Sequence, residues 1–227
     1  MQKAFTEKFQ IATDPGSIPG GPIYYFNNKI GKYMEDIIKF YLEINKLKEM
    51  KRSGWVVDGV EEPEHIADHC FGVALMTLVL GSKRKDIDLQ KAVKMAIVHE
   101  LAESQTGDIL VDWKMAADKK ANRARIKGNH DITEEEKHKL ENDAMEKLAT
   151  LLGDFGKEAL ALWLEFEEQK TKESVFVKSV DKIEMFLQVL TYEKKGYNFD
   201  DWFAAEKNHP KDPEVVKLFQ HIQKSRK

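Results

Sequence analysis

The stretch that decides the fold is KMAIVHELAE, residues 94–103. It continues an apolar pattern that starts at Leu89, and three- and four-residue steps between apolar side chains are typical of one face of a helix. The inward stripe consists of Leu89, Ala92, Val93, Ala96, Ile97 and Leu101. His99, Glu100 and Glu103 lie on or beside this face. Because burying an ionised carboxylate is costly unless it is paired, protonated or metal-bound, these side chains predict a functional site.

Helical patterns also occur on both sides of this stretch. The predicted helices cover Ile30 to about Met50, Ile66 to Val79, Leu89 to about Glu103, a segment starting at a capping box of Thr133 and Glu136, about 156–169, about 173–195, and a last segment from Pro213 with Asp212 as N-cap. Alternating polar and apolar runs, which would predict strands, are absent. The sequence therefore predicts an all-α bundle of about six to eight helices around one site.

The N-terminal segment differs from the rest of the chain. Residues 14–22, DPGSIPGGP, concentrate residues that interrupt helices and strands. We interpret residues 1–29 as an arm and residues 30–227 as one helical domain. A chain of 227 residues with 42% hydrophobic residues is large enough to bury a core for that domain.

Bulk properties exclude several classes of partner. A formal charge of −3, from 36 basic and 39 acidic side chains, creates no net field that would attract nucleic acid or an anionic membrane. The single cysteine, Cys70, permits no intramolecular disulfide, and no apolar run approaches the roughly 20 residues that span a bilayer. A secretory signal is also missing from the N-terminal residues. We expect a cytoplasmic protein that binds neither nucleic acid nor membranes.

Two further polar residues lie among apolar neighbours. His69 interrupts the apolar run of the second predicted helix, and Asp181 lies within FVKSVDKI, residues 176–183. Together with His99 and Glu100 they form a mixed nitrogen and oxygen set suited to Mn, Fe, Co, Ni or Zn, with Mg also possible. A zinc-peptidase motif is not matched, because Glu103 stands where the second histidine would be. Any one of these histidines alone is more often a buried core residue, so the prediction depends on the set.

Several blocks resemble the HD-domain 5′-deoxynucleotidases in order and spacing. They are EHIADH at 64–69, KMAIVHELAE at 94–103 followed by GDI at 107–109, and FVKSVDKIE at 176–184. The RSGW segment at 52–55 and WLEFE at 163–167 resemble two further elements of that family. The resemblance covers roughly residues 30–222 and is specific as a set.

The resemblance implies a helical bundle around one divalent ion, working as a homodimer, that removes phosphate from deoxyribonucleoside 5′-monophosphates. By position, the metal ligands would be His69, His99, Glu100 and Asp181. The catalytic carboxylates would be Glu103 and Asp108, while Arg52 and Trp55 would border the phosphate and the sugar. The ion would make bound water more acidic and polarise the phosphoryl group, and a nearby carboxylate would transfer the proton.

One position departs from the family, since its His-Asp pair is His99-Glu100 here. Glutamate is longer by one C–C bond, about 1.5 Å, which changes the reach of the ligand. Two alternatives therefore stay open: another HD-type hydrolase acting on dNTPs, cyclic nucleotides or (p)ppGpp, and a catalytically silent metal-binding protein. Without the resemblance, Arg52 would be a surface charge, Asp108 a turn residue and Trp55 a core or interface anchor. His65, one helical turn before His69, is interpreted as a residue next to the ligands, not as a fifth ligand.

Overall fold

The computed structural model describes residues 22–111 and 132–226, which form helices joined by turns and loops, with no strand of a sheet. A single antiparallel bridge joins Lys51 and His65. The α-helices of these ranges are α1 (Pro22–Ile44), α2 (Ser53–Val57), α3 (Ile66–Gly81), α4 (Leu89–Val98), α5 (Glu103–Thr106), α6 (Glu134–Leu151), α7 (Gly153–Glu168), α8 (Lys172–Glu193), α9 (Asp200–Ala204) and α10 (Pro213–Ser225). Short 3₁₀ helices cover Asn45–Lys48 and Glu206–Asn208. The all-α prediction is confirmed.

Three predicted boundaries differ from the structure. The first helix begins at Pro22, not at Ile30, and its α-helical part ends at Ile44 before the 3₁₀ helix. Proline suits this start because its fixed φ angle is that of a helix and its missing N–H would have no partner there. Residues 1–21 of the predicted arm lie outside the described residues, and the division into arm and domain stays a prediction.

The third boundary concerns the helix that was expected to reach Glu103. It ends at Val98, and residues 99–102 form turns before α5 begins. The backbone bonds here tighten to three-residue spacing, with Leu101 N–H donating to Val98 O at 3.1 Å and Glu103 N–H to Glu100 O at 3.1 Å. The two polar residues His99 and Glu100 therefore follow the helix instead of lying within it.

The predicted helix caps are confirmed. Thr133 Oγ1 accepts from Glu136 N–H at 3.2 Å, and Glu136 Oε2 accepts from Thr133 N–H at 2.8 Å. Asp212 Oδ1 accepts from the backbone N–H groups of Glu214 and Val215 at 3.0 and 3.2 Å. These side chains satisfy backbone donors that a helix start leaves unpaired.

Helix α8 lies at the centre of the bundle and packs against α3, α4, α7 and α10. Its buried apolar residues include Phe176, Val177, Val180, Ile183 and Phe186. Each such side chain stabilises the fold by about 1.5–3 kcal/mol relative to exposure. This packing brings α3, the C-terminal end of α4 and the middle of α8 together. Among the described helices, none combines the length and the apolar character needed to cross a membrane.

Candidate metal centre

Four side chains converge where α3, α4 and α8 meet. His69 comes from α3, His99 and Glu100 from the turns after α4, and Asp181 from α8, and one potential ligand atom of each lies within 4.8 Å of the others. His69 Nε2 is 3.1 Å from Asp181 Oδ1, and His99 Nε2 is 3.7 Å from Glu100 Oε1. Metal bonds of about 2.1 Å place neighbouring ligand atoms roughly 3.0–3.4 Å apart. The group therefore has the composition and nearly the spacing of a metal centre.

Both imidazoles present their Nε2 atoms to this group. His99 Nδ1 donates to the backbone oxygen of Ala96 at 2.8 Å, and His69 Nδ1 lies 2.6 Å from Glu184 Oε2. The Nε2 atoms of both rings are buried and lack a hydrogen-bond partner within the described part of the chain. Buried polar atoms without partners are costly. A cation at the centre of the group would satisfy both nitrogens, so the residues fit a divalent ion.

The charges around the group also favour a cation. Burial and the charge of Arg52 oppose a charged imidazole, but the carboxylates of Asp181 and Glu184 outweigh both and raise the pKa of His69 to about 9. Burial likewise disfavours ionised Glu100, yet His99 and Arg52 lower the pKa of its carboxyl to about 2. A proton on His69 thus supplies positive charge at the place where a metal ion would supply it.

The group opens into a cavity of about 600 Å³ that is lined by Arg52, Glu103 and Asp108 among other residues. The Arg52 Nη1 atom is 2.9 Å from Glu100 Oε1 and 3.7 Å from Asp108 Oδ2. Asp108 Oδ2 also accepts from Ser53 N–H at 2.7 Å, which ties the loop after α5 to the start of α2. Three predicted site residues, two acidic and one basic, therefore share one cavity with the ligand group.

Glu103 is the most deeply buried carboxyl of the cavity, with 3% of the residue exposed. Burial, followed by the charges of Glu100 and Asp108, raises the pKa of the Glu103 carboxyl well above its ordinary value. Arg52 Nη1 lies 3.9 Å from Glu103 Oε2, which is too far for a hydrogen bond. Burial therefore favours the protonated form of the Glu103 carboxyl, and its Oε2 atom has no hydrogen-bond partner among the described residues.

Trp55 lies in an aromatic cluster, not at the cavity surface. It is 1% exposed, its Nε1–H donates to Glu64 Oε1 at 2.8 Å, and its ring stacks on Trp202 at a centroid distance of 4.4 Å. Of these two indoles, Trp202 lines the cavity. The predicted contact between Trp55 and a sugar stays untested, and the structure places the tryptophan in the position expected of a core anchor.

The His65 side chain contacts Asp68 at the start of α3. Its backbone N–H donates to Asp68 Oδ2 at 2.9 Å, and its Nδ1 lies 3.3 Å from the same oxygen, at the start of α3. The side chain that contacts His69 Nδ1 is Glu184. A signal for Glu184 was present, since it follows Asp181 by three residues and helix positions three apart share a face.

Other residues of the cavity were not among the predicted site residues. They include Lys137 and Glu141 of α6, Lys178 and Lys182 of α8, and Lys207 and Asn208 from the segment after α9. Lys178 Nζ is 3.6 Å from Asp181 Oδ2 and lies over the ring of Phe166 at 4.2 Å. The lysines bring positive charge to a cavity whose lining also contains several carboxylates.

Known proteins resemble this chain over most of its length. The 5′-deoxynucleotidase HDDC2 of Dictyostelium discoideum is 39% identical over 175 residues, covering 74% of this chain and 83% of that protein. The 5′-deoxynucleotidase HDDC2 of Homo sapiens is 34% identical over 203 residues, covering 86% and 89%. A solved structure, the PH0347 protein from Pyrococcus horikoshii OT3, has a TM-score of 0.58 and 34% identity, covering 83% of this chain and 96% of that one. The HD domain model matches residues 44–223. Since this match includes most of the chain, the protein belongs to the HD domain family.

Proposed function

We propose that this protein uses one divalent metal ion to hydrolyse deoxyribonucleoside 5′-monophosphates to deoxynucleosides and phosphate. The observation that carries the proposal is the convergence of two unpartnered imidazole nitrogens and two carboxylates beside a cavity that also contains a partly buried arginine. Similarity to two 5′-deoxynucleotidases over most of both chains supports this substrate class.

The proposed ligands are His69, His99, Glu100 and Asp181, and the candidate ions are Mn, Co, Mg, Fe, Ni and Zn. A divalent ion held there would act as a Lewis acid toward the phosphoryl group and would make water a better nucleophile. The set has two nitrogen and two oxygen donors, which several of these ions accept. The donors alone do not select one ion.

The remaining residues would handle the phosphate and the proton. Arg52 offers planar, forked N–H donors that match phosphate oxygens, and Asp108 holds it beside the ligand group. As water bonds to phosphorus and the P–O5′ bond breaks, the Glu103 carboxyl, whose protonated form burial favours, would give a proton to the 5′ oxygen. It would then take a proton from the attacking water, so that the carboxyl is restored for the next turnover.

A panel of metals and substrates tests this proposal. Phosphate release is measured for dNMPs, NMPs, dNTPs and cyclic nucleotides with Mn²⁺, Co²⁺, Mg²⁺ and Zn²⁺. We expect dNMPs to give the highest kcat/KM with at least one of these ions. A preference for dNTPs or cyclic nucleotides would identify another hydrolase of the same family, and no release from any dNMP by metal-loaded protein would contradict the proposal.

A catalytically silent metal-binding protein is the second candidate, and the observation that favours it is the substitution at position 100. Glu100 Oε1 bonds to Arg52 Nη1 at 2.9 Å, so the longer carboxylate occupies a donor that the phosphate would need. The same oxygen nevertheless belongs to the ligand group, which supports a working site. The activity of Glu100→Asp, argued in the Discussion, separates these two candidates.

A homodimer in the cytoplasm completes the proposal, and exposed apolar side chains support the dimer. Phe71 of α3 is 69% exposed, and Leu75, Leu78 and Val79 of the same helix are about half exposed. Contiguous apolar surface of this kind marks interaction sites on proteins. We expect sedimentation to give a dimer for the parent and a monomer for Phe71→Asp, whereas a monomeric parent would contradict the dimer. Imaging of the tagged full chain tests the compartment.

A further inference from the structure

Glu184 contacts a proposed metal ligand from the side away from the ligand group. It follows Asp181 by one turn of α8, is 9% exposed, and its Oε2 lies 2.6 Å from His69 Nδ1. With Nδ1–H donating to this carboxylate, Nε2 faces the ligand group, where Asp181 Oδ1 lies 3.1 Å away, and its lone pair is the one available to a metal ion. Glu184 thus sets both the tautomer and the direction of the ring.

A second carboxylate lies nearby, but it has another partner. Oxygens of Glu64 and Glu184 and a nitrogen of His69 all lie within 4.8 Å of one another. Glu64 Oε1, however, accepts from the indole N–H of Trp55 at 2.8 Å. Glu184 is therefore the residue whose carboxylate is committed to the imidazole.

Gly72 of α3 leaves the space that this carboxylate occupies. A Cβ atom at position 72 would lie 2.5 Å from Glu184 Oε1 and 2.9 Å from Glu184 Cγ. Real Cβ atoms do not approach so closely, so any larger residue would force the flexible end of Glu184 to move. The contact between Glu184 and His69 hence depends on glycine, which has no side chain, at position 72, one helical turn from His69.

We propose that Glu184 is a positioning residue that orients His69 toward the metal ion, and that Gly72 gives it the room to do so. A carboxylate acceptor on Nδ1 fixes the ring and makes Nε2 a better donor to a metal. His99 needs no such residue, because its Nδ1 donates to the backbone of Ala96. This inference rests on the proposed metal site and is independent of the nucleotide substrate.

The test is calorimetric titration of Mn²⁺ into the full chain after metal removal, without substrate. We expect Glu184→Ala to weaken binding about 10–100-fold, the usual effect of removing the partner of a ligating histidine. Glu184→Gln keeps a neutral acceptor and should fall between Ala and the parent. Gly72→Ala should weaken binding by displacing Glu184. Gly31→Ala in α1 is the matched control, because its Cβ would meet no atom within 4 Å.

Melting temperatures in chelator separate this role from a purely structural one. Gly72→Ala and Glu184→Gln should melt close to the parent while binding Mn²⁺ more weakly. Parental Mn²⁺ affinity in folded Glu184→Ala, or in Gly72→Ala, would overturn the proposal, as would Gln binding no better than Ala. If Glu184→Ala does not fold, the Mn²⁺ affinities of Gly72→Ala and Glu184→Gln test the proposal, and parental affinity in both would overturn it.

A parallel assay of dNMP hydrolysis distinguishes failure of this inference from failure of the proposed function. The expected order of Mn²⁺ affinities without any dNMP hydrolysis would leave the role of Glu184 standing and remove the proposed activity. Hydrolysis by the parent together with equal Mn²⁺ affinities in all variants would remove the proposed role of Glu184 and leave the proposed activity standing.

Discussion

Shortening Glu100 to aspartate should lower the rate of a site that has adapted to glutamate. The change withdraws the carboxylate by up to one C–C bond, about 1.5 Å. A metal–oxygen bond of about 2.1 Å would stretch to as much as about 3.6 Å, beyond coordination. The 2.9 Å bond from Arg52 Nη1 to Glu100 Oε1 would be lost in the same way. We expect kcat/KM for a dNMP to fall at least tenfold, about 1.4 kcal/mol of transition-state stabilisation.

The assay is steady-state phosphate release with each metal of the panel, with Glu100→Gln as the companion variant. Gln should abolish most activity, because a neutral amide is a poor ligand and the site loses a negative charge. In a decayed site, aspartate would instead restore the geometry of the family. An increase of tenfold or more in Glu100→Asp would refute the reasoning and make the silent protein the better description.

Three further predictions test the ligands, the phosphate contact and the electrostatics of the cavity. Replacing His69 or Asp181 with Ala should lower the metal content on elemental analysis. It should also remove the stabilisation by Mn²⁺, which for the parent is about 2.7 kcal/mol at a Mn²⁺ concentration of 100 times Kd. Unchanged stoichiometric metal in both variants would contradict the ligand assignment. Arg52→Lys and Arg52→Ala should both lower kcat/KM for a dNMP, Ala more so, because lysine keeps the charge and loses the fork; parental rates in both would exclude a phosphate contact. Burial raises the pKa of Glu141 from 4.5 to about 7, so the folded state binds this proton more tightly than the unfolded state does. The folded state therefore loses stability, at most roughly 3 kcal/mol, as the pH rises from about 4.5 to about 7. Denaturant unfolding in chelator should show a weaker loss across this window for Glu141→Gln, and identical pH profiles would show that the carboxyl titrates normally.

The sequence was sufficient for features that depend on local periodicity and local chemistry. The caps at Thr133 and Asp212 were predictable because the side chain and the backbone donors it satisfies lie within three residues of each other. The convergence of His69 with Asp181 was also predicted, since each polar residue interrupts an otherwise apolar helix face. For these features the pattern and the physical cause lie in the same short segment.

The environment of the site was less predictable, because it depends on packing between distant segments. Nothing near Trp202 indicates that its ring lies on Trp55 while facing the cavity. Lys178 looks like an ordinary surface charge until α8 is placed at the centre of the bundle. Glu184 and Gly72 form a pair only across the α3–α8 contact, which no single helix reveals.

Helix α4 ends at Val98, just before His99 and Glu100, the two consecutive residues that belong to the ligand group. The backbone of His99 keeps helical angles, φ −61° and ψ −28°, so the end of the helix does not by itself aim the ring. The helix end leaves carbonyl groups of the last helical turn without backbone partners, and His99 Nδ1–H satisfies that of Ala96 at 2.8 Å. One hydrogen bond thus closes the helix and turns His99 Nε2 toward the proposed ion.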